Sequence, residues 1–68
     1  MKISARNVLA GTVTKVTRGS TTSHVRLDVD GTSVTAAITN ESVDELGLTE
    51  GQQAYAVIKA SDVMIAVD

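Results

Sequence analysis

The sequence predicts an all-β domain, a five-stranded OB-like barrel with one short helix between the third and fourth strands. Three observations lead to this fold class. Apolar and polar residues alternate along much of the chain, with the period of half-buried strands. Glycine-bearing turns punctuate these runs, and Asp30-Gly31 is the strongest short-range hairpin signal among them. The stretch from Thr39 to Gly47 abandons that alternation for a helical pattern with its own start and stop residues. An open five-stranded sheet with a covering helix has the same element order and stands as the alternative.

The first strand is expected from Val8 to Thr17, rich in β-branched residues, with Gly11 marking either a bulge or a close backbone approach. Val8, Ala10, Thr12 and Thr14 fall on one side of it, and Leu9, Gly11, Val13 and Lys15 on the other. Arg18-Gly19-Ser20 reads as a turn. From Thr21 to Asp30 the alternation is cleaner, with Val25, Leu27 and Val29 facing one way and His24, Arg26, Asp28 and Asp30 the other. The Asp30-Gly31 turn then leads into a return strand from Thr32 to Ile38. Thr39 is placed to cap a helix over Glu41–Leu46, Gly47 to end it, and Val43 and Leu46 to share a buried face. After a second turn at Leu48–Gly51, strands are expected over Gln53–Lys59 and Asp62–Val67. No linker, low-complexity segment or internal repeat divides the chain, so residues 1–68 form a single domain.

Composition narrows the function classes. A chain of 68 residues buries too little surface for a comfortable core of its own. With no cysteine for disulfides or thiolate metal sites, and one histidine, the remaining support is oligomerisation. Tyr55 is the only aromatic residue and the net charge is -2, which argues against base stacking and against a basic nucleic-acid surface. The N-terminus lacks an apolar signal region and no window is long enough to span a membrane, so a soluble, cytoplasmic protein is expected.

No catalytic constellation is present: His24 stands beside Arg26 on a polar strand face with no nucleophile at a recognisable spacing, and the glycines sit singly at turns. Three groups of hydrogen-bond donors remain. Ser4, Arg6 and Asn7 offer a hydroxyl, a guanidinium and an amide, or else a frayed terminus carrying a surface arginine. Lys59-Ala60-Ser61 offers a cation and a hydroxyl at a strand junction, though a lysine before a turn is also common. Thr39 and Ser42 offer hydroxyls at a helix start, where free N–H groups favour anions, or else plain capping. Together the groups contain no carboxylate, which describes a receptor for a fully ionised oxyanion.

Ser4-Ala5-Arg6-Asn7, Glu45-Leu46-Gly47-Leu48 and the closing run from Ala56 to Met64 resemble the molbindins, the Mop-type (TOBE/Mop) family of small molybdate-binding proteins. The resemblance covers essentially the whole chain. It implies an OB-like fold, a homohexamer built as a trimer of dimers, and molybdate or tungstate bound at subunit interfaces for intracellular molybdenum storage and homeostasis. Carried over by position, it implies that Ser4, Ala5, Arg6, Lys59, Ala60 and Ser61 contact the oxyanion from one subunit and Thr39 and Ser42 from its neighbour. Ala60 stands where some relatives have serine and keeps only its backbone N–H, Asn7 is assigned to shaping the turn, and Val8 replaces the family's usual glutamine. The family's second class of oxyanion site makes Gly19, Ser20, Thr21 and Thr22 candidates. A molybdate-responsive sensor acting through a protein partner is the alternative function, and a nucleic-acid-binding domain ranks below both.

Overall fold

The computed structural model describes residues 1–68. Its element order is β1 (Asn7–Arg18), β2 (Thr22–Val29), β3 (Thr32–Thr39), α1 (Asn40–Leu46), β4 (Gln53–Ile58) and a 3₁₀ turn over Ala60–Asp62. The strands form one antiparallel sheet in the order β3-β2-β1-β4.

β2 and β3 form a hairpin in which Val29 pairs with Thr32. The two residues between them, Asp30 (φ 50°) and Gly31 (φ 87°), both take positive φ, as a twist-compatible two-residue turn requires. β2 buries Ser23, Val25 and Leu27 and turns His24, Arg26 and Asp28 outward, as the alternation predicts. In β1 the alternation breaks. Val13 pairs with Leu27 and Lys15 with Arg26, so Thr14 is an extra, bulged residue whose hydroxyl donates to the Arg26 carbonyl at 3.2 Å. A bulge exchanges the faces of every residue beyond it. Val16 therefore packs inward with Val13, and Lys15 is exposed. Gly11 is the close approach and not the bulge: a Cβ there would stand 2.6 Å from the Asp28 carbonyl oxygen.

Thr39 caps α1 by accepting the Ser42 N–H at 3.1 Å, and Gly47 ends it in the left-handed conformation (φ 61°). The Gly47 and Leu48 N–H groups close onto the carbonyls of Asp44 and Val43. Asn40 docks the helix start onto the β1–β2 turn, its N–H bonding the Thr21 carbonyl and its side-chain amide the Gly19 carbonyl. The Asn40 side-chain oxygen also accepts from the hydroxyl of Ser23, the one buried polar residue. Val13, Val25, Leu27 and Val43 are the only buried apolar residues, a small core for the chain length.

Two expectations are corrected. Leu46 does not share the buried face of Val43 but is 64% exposed at the edge of an apolar trough. The fifth strand over Asp62–Val67 is absent, so the structure is an open four-stranded sheet with one helix and not a closed five-stranded barrel. The reason is pairing: a strand needs a neighbour to take its backbone groups. From Met64 onward the backbone makes no hydrogen bond within the chain.

Candidate functional site

β1 and β4 pair with Asn7 opposite Ile58. Arg6 and Lys59, two residues separated by most of the sequence, flank that last pair of the register. Asn7 locks the junction by donating its side-chain amide to the Ile58 carbonyl at 3.2 Å, so it ties the two strands together. Around this end of the sheet lies a cleft of about 590 Å³, lined by Ile3, Ser4, Ala5, Arg6, Val57, Lys59, Ala60, Ser61 and Asp62. Two donor groups singled out in the sequence thus share one cavity.

The cleft is not free of carboxylates, because Asp62 lines it. Asp62 belongs to the 3₁₀ turn, where its N–H bonds the Lys59 carbonyl at 2.9 Å. That turn is what presents Lys59, Ala60 and Ser61 along one rim. The single ion pair of the chain joins Arg18 to Asp44 at 2.9 Å, so neither Arg6 nor Lys59 is neutralised by a salt bridge. Two unpaired cations lining one cleft repel, and an anion between them relieves that repulsion.

Thr39 and Ser42 lie elsewhere. Thr39 pairs with Thr22, level with the Arg18 end of β1, whereas the cleft is at the Asn7 end. The 12 residues of β1 separate the two ends of the sheet, and neither Thr39 nor Ser42 lines the cleft, so a single chain does not bring these hydroxyls to it. Their capping role is realised, yet it leaves one donor. Thr39 Oγ1 accepts the Ser42 N–H and donates to Ser42 Oγ at 2.9 Å, which leaves the Ser42 hydroxyl without an acceptor of its own in the chain. In the Gly19–Thr22 turn, the Gly19 N–H bonds the Thr22 carbonyl at 2.7 Å. The carbonyls of Gly19 and Thr21 face Asn40, while Ser20, Thr21 and Thr22 are exposed.

The sequence reading missed one grouping. Lys15 stands opposite Arg26, Thr17 opposite His24 and Arg26 opposite Thr35 across three strands, around a shallow depression of about 90 Å³ with no carboxylate in its lining. Only the Thr14 bulge makes this possible, by turning Lys15 outward beside Arg26. No group of three or more metal-ligating His, Cys, Asp or Glu side chains occurs, and no helix is long and apolar enough to cross a membrane.

Comparison with known proteins assigns residues 3–65 to the TOBE domain. The chain is 49% identical to the molybdenum-pterin-binding protein MopA of Rhodobacter capsulatus, matching 97% of this chain but 25% of that protein. It is 44% identical to a probable molybdenum-pterin-binding protein of Haemophilus influenzae over the full length of both. Among solved structures it superposes on MopII of Clostridium pasteurianum with a TM-score of 0.91 at 43% identity, covering 97% of this chain and all of the other. The molybdate-binding protein of Sporomusa ovata gives a TM-score of 0.94 at 37% identity over 98% of this chain and all of that one. The cytoplasmic molybdate-binding protein ModG, with molybdate bound, gives 0.90 at 46% identity over 94% of this chain and 46% of that chain. These relatives are described as binding proteins and not as enzymes. The chain belongs to the TOBE domain family, among its small Mop-type members.

Proposed function

We propose that this chain binds molybdate, or tungstate in its place, at the cleft between Ser4-Ala5-Arg6 and Lys59-Ala60-Ser61, and that it does so as a cytoplasmic store that buffers molybdenum. The carrying observation is that Arg6 and Lys59, which flank the last pair of the β1–β4 register, line one cleft with no ion pair to either. Arg6 supplies a forked donor, Lys59 a point charge, Ser4 and Ser61 hydroxyls, and Ala5 and Ala60 their backbone N–H groups. Asp62 at the rim repels an anion, and so marks the boundary of the site.

The cleft is far larger than one tetrahedral oxyanion, so a second subunit must narrow it. Thr39 and Ser42 of a neighbouring copy fill that role, with the free Ser42 hydroxyl as donor. The assembly is a homohexamer built as a trimer of dimers. Two features support assembly: the core has four buried apolar residues, and Ile3, Val57 and Met64 are among the large apolar side chains left exposed. Sulfate shares the charge and shape of molybdate, so selection between them rests on the size of the narrowed cavity. Calorimetric titration with molybdate, tungstate and sulfate, beside native mass measurement, tests this reading. Heat is expected with the first two from an oligomer, and no heat with any of the three would refute it.

A sensor module acting on a protein partner is the second reading. The chain matches the molybdenum transport protein ModE of Herbaspirillum seropedicae at 48% identity over 24% of that protein, so the same unit also occurs within longer chains. Capture of a partner only in the presence of molybdate would favour it over storage.

A further inference from the structure

We propose that Lys15, Thr17, His24, Arg26 and Thr35 form a phosphate site on the outer face of the sheet, which takes the terminal phosphate of a phosphomonoester. These residues lie in two rows across β1, β2 and β3. Lys15 stands opposite Arg26 and Arg26 opposite Thr35 in one row, and Thr17 stands opposite His24 in the next. Neighbouring strands are about 4.8 Å apart, so the two rows gather their donor-bearing side chains around a single depression of about 90 Å³. None of them belongs to the Arg6–Lys59 cleft or to the Gly19–Thr22 turn.

The surroundings of these side chains point to an anion. All are exposed, and none makes a hydrogen bond or an ion pair within the chain. Like charges directly opposite each other on a sheet face are destabilising, yet Lys15 and Arg26 are paired in this way and no carboxylate lines the depression. Asp28 follows Arg26 by two residues on the outer face of β2, but it stands opposite Thr12 and Ser33 and forms no ion pair with Arg26. The arrangement is a product of the Thr14 bulge. A bulge re-aims the side chains that follow it, and this one turns Lys15 outward, where it completes the row with Arg26.

The donor set fits a phosphomonoester, whose phosphate carries a charge of about -1.5 to -2 at neutral pH and three acceptor oxygens. Lys15 and Arg26 supply the opposing charge, and the hydroxyls of Thr17 and Thr35 and an imidazole N–H of His24 supply the remaining donors. The depression is walled by the sheet on one side only and its lining residues are all exposed, which leaves room for the ester oxygen and the molecule attached to it.

This inference does not rest on the molybdate reading, and its test is run without molybdate, at low ionic strength, with methyl phosphate as the probe. Calorimetric titration and melting curves are taken for the parent, Lys15→Gln, Arg26→Gln, the double variant Lys15→Gln/Arg26→Gln, and Arg6→Ala. Loss of either cation should weaken binding roughly 10-fold or more. Methyl phosphate should raise the Tm of the parent and leave that of the double variant unchanged. Because the double variant removes two like charges from one row, its melting curve without ligand should show a fold at least as stable as the parent's. Arg6→Ala should bind methyl phosphate as the parent does; loss of binding there would put the anion in the cleft and overturn the proposal. Absence of binding to the parent, or parental affinity in both single cation variants, would overturn it too. So would binding of inorganic phosphate to the exclusion of methyl phosphate, since the open face would then have no room for an ester. Failure of the parent to bind molybdate, with methyl phosphate binding intact, would remove only the cleft reading.

Discussion

Replacing Arg6 with alanine separates binding from folding more sharply than any other change to the cleft. Arg6 precedes β1, its side chain is exposed, and it takes no part in the chain's one ion pair, so its removal costs the fold little. Surface changes of this kind stay within about 0.5 kcal/mol. Binding is another matter. A hydrogen bond to a charged partner contributes about 1.5–3 kcal/mol, and each 1.4 kcal/mol is a factor of ten in Kd, which gives a loss of roughly 10- to 100-fold. Lys59 stays in place and keeps one cation at the anion, so the loss falls toward the lower part of that range. Arg6→Lys should lie between the parent and the alanine variant, because it restores charge without the planar fork. The assay is calorimetric titration with molybdate, paired with a melting curve taken without it. Parental affinity in Arg6→Ala would remove this residue from the site and, with it, the argument from the β1–β4 register.

Other substitutions test the frame that holds the site. Gly11→Ala puts a methyl group 2.6 Å from the Asp28 carbonyl oxygen and 2.9 Å from Val29 Cγ2, which costs roughly 1–3 kcal/mol as overpacking; an unchanged melting temperature would contradict the close approach. Asn40→Ala strips the buried Ser23 hydroxyl of its acceptor and frees the Gly19 turn, for a loss of about 1–3 kcal/mol in denaturant unfolding. Asn40→Asp, which keeps the acceptor for Ser23, should cost less. Arg18→Ala breaks an ion pair whose side chains are 47% and 68% exposed, so the loss should stay below about 1 kcal/mol and fade as salt is raised. A larger, salt-independent loss would mean that Arg18 supports packing instead.

Local signals in the sequence were legible because their physics is local. The Asp30-Gly31 turn follows from which residues tolerate positive φ, and both take it. Thr39 and Gly47 bound α1 as capping chemistry requires, and β2 keeps its alternation through Ser23, Val25 and Leu27. The donor residues at each end of the chain were legible by type. Their meeting was not, because it depends on the pairing of Asn7 with Ile58, a contact between opposite ends of the sequence. The Thr14 bulge carries no mark that distinguishes it from its threonine-rich surroundings, yet it turns Lys15 out beside Arg26 and brings His24 and Thr35 into the same depression. Gly11, the more conspicuous residue, marks a tight approach instead.

The closing segment shows where the two kinds of information part. Read alone, the sequence carries the strand-like composition and alternation of Val63–Val67, together with the turns, the caps and the groups of hydrogen-bond donors. Only the tertiary structure decided that this strand has no partner within the chain, that β3 and β4 remain open edges, and that Thr39 and Ser42 stand at the far end of β1 from the Arg6–Lys59 cleft. The physical reason is that side-chain propensity is a property of neighbouring residues, whereas a strand, a cleft and a shared site exist only through backbone pairing between residues distant in sequence.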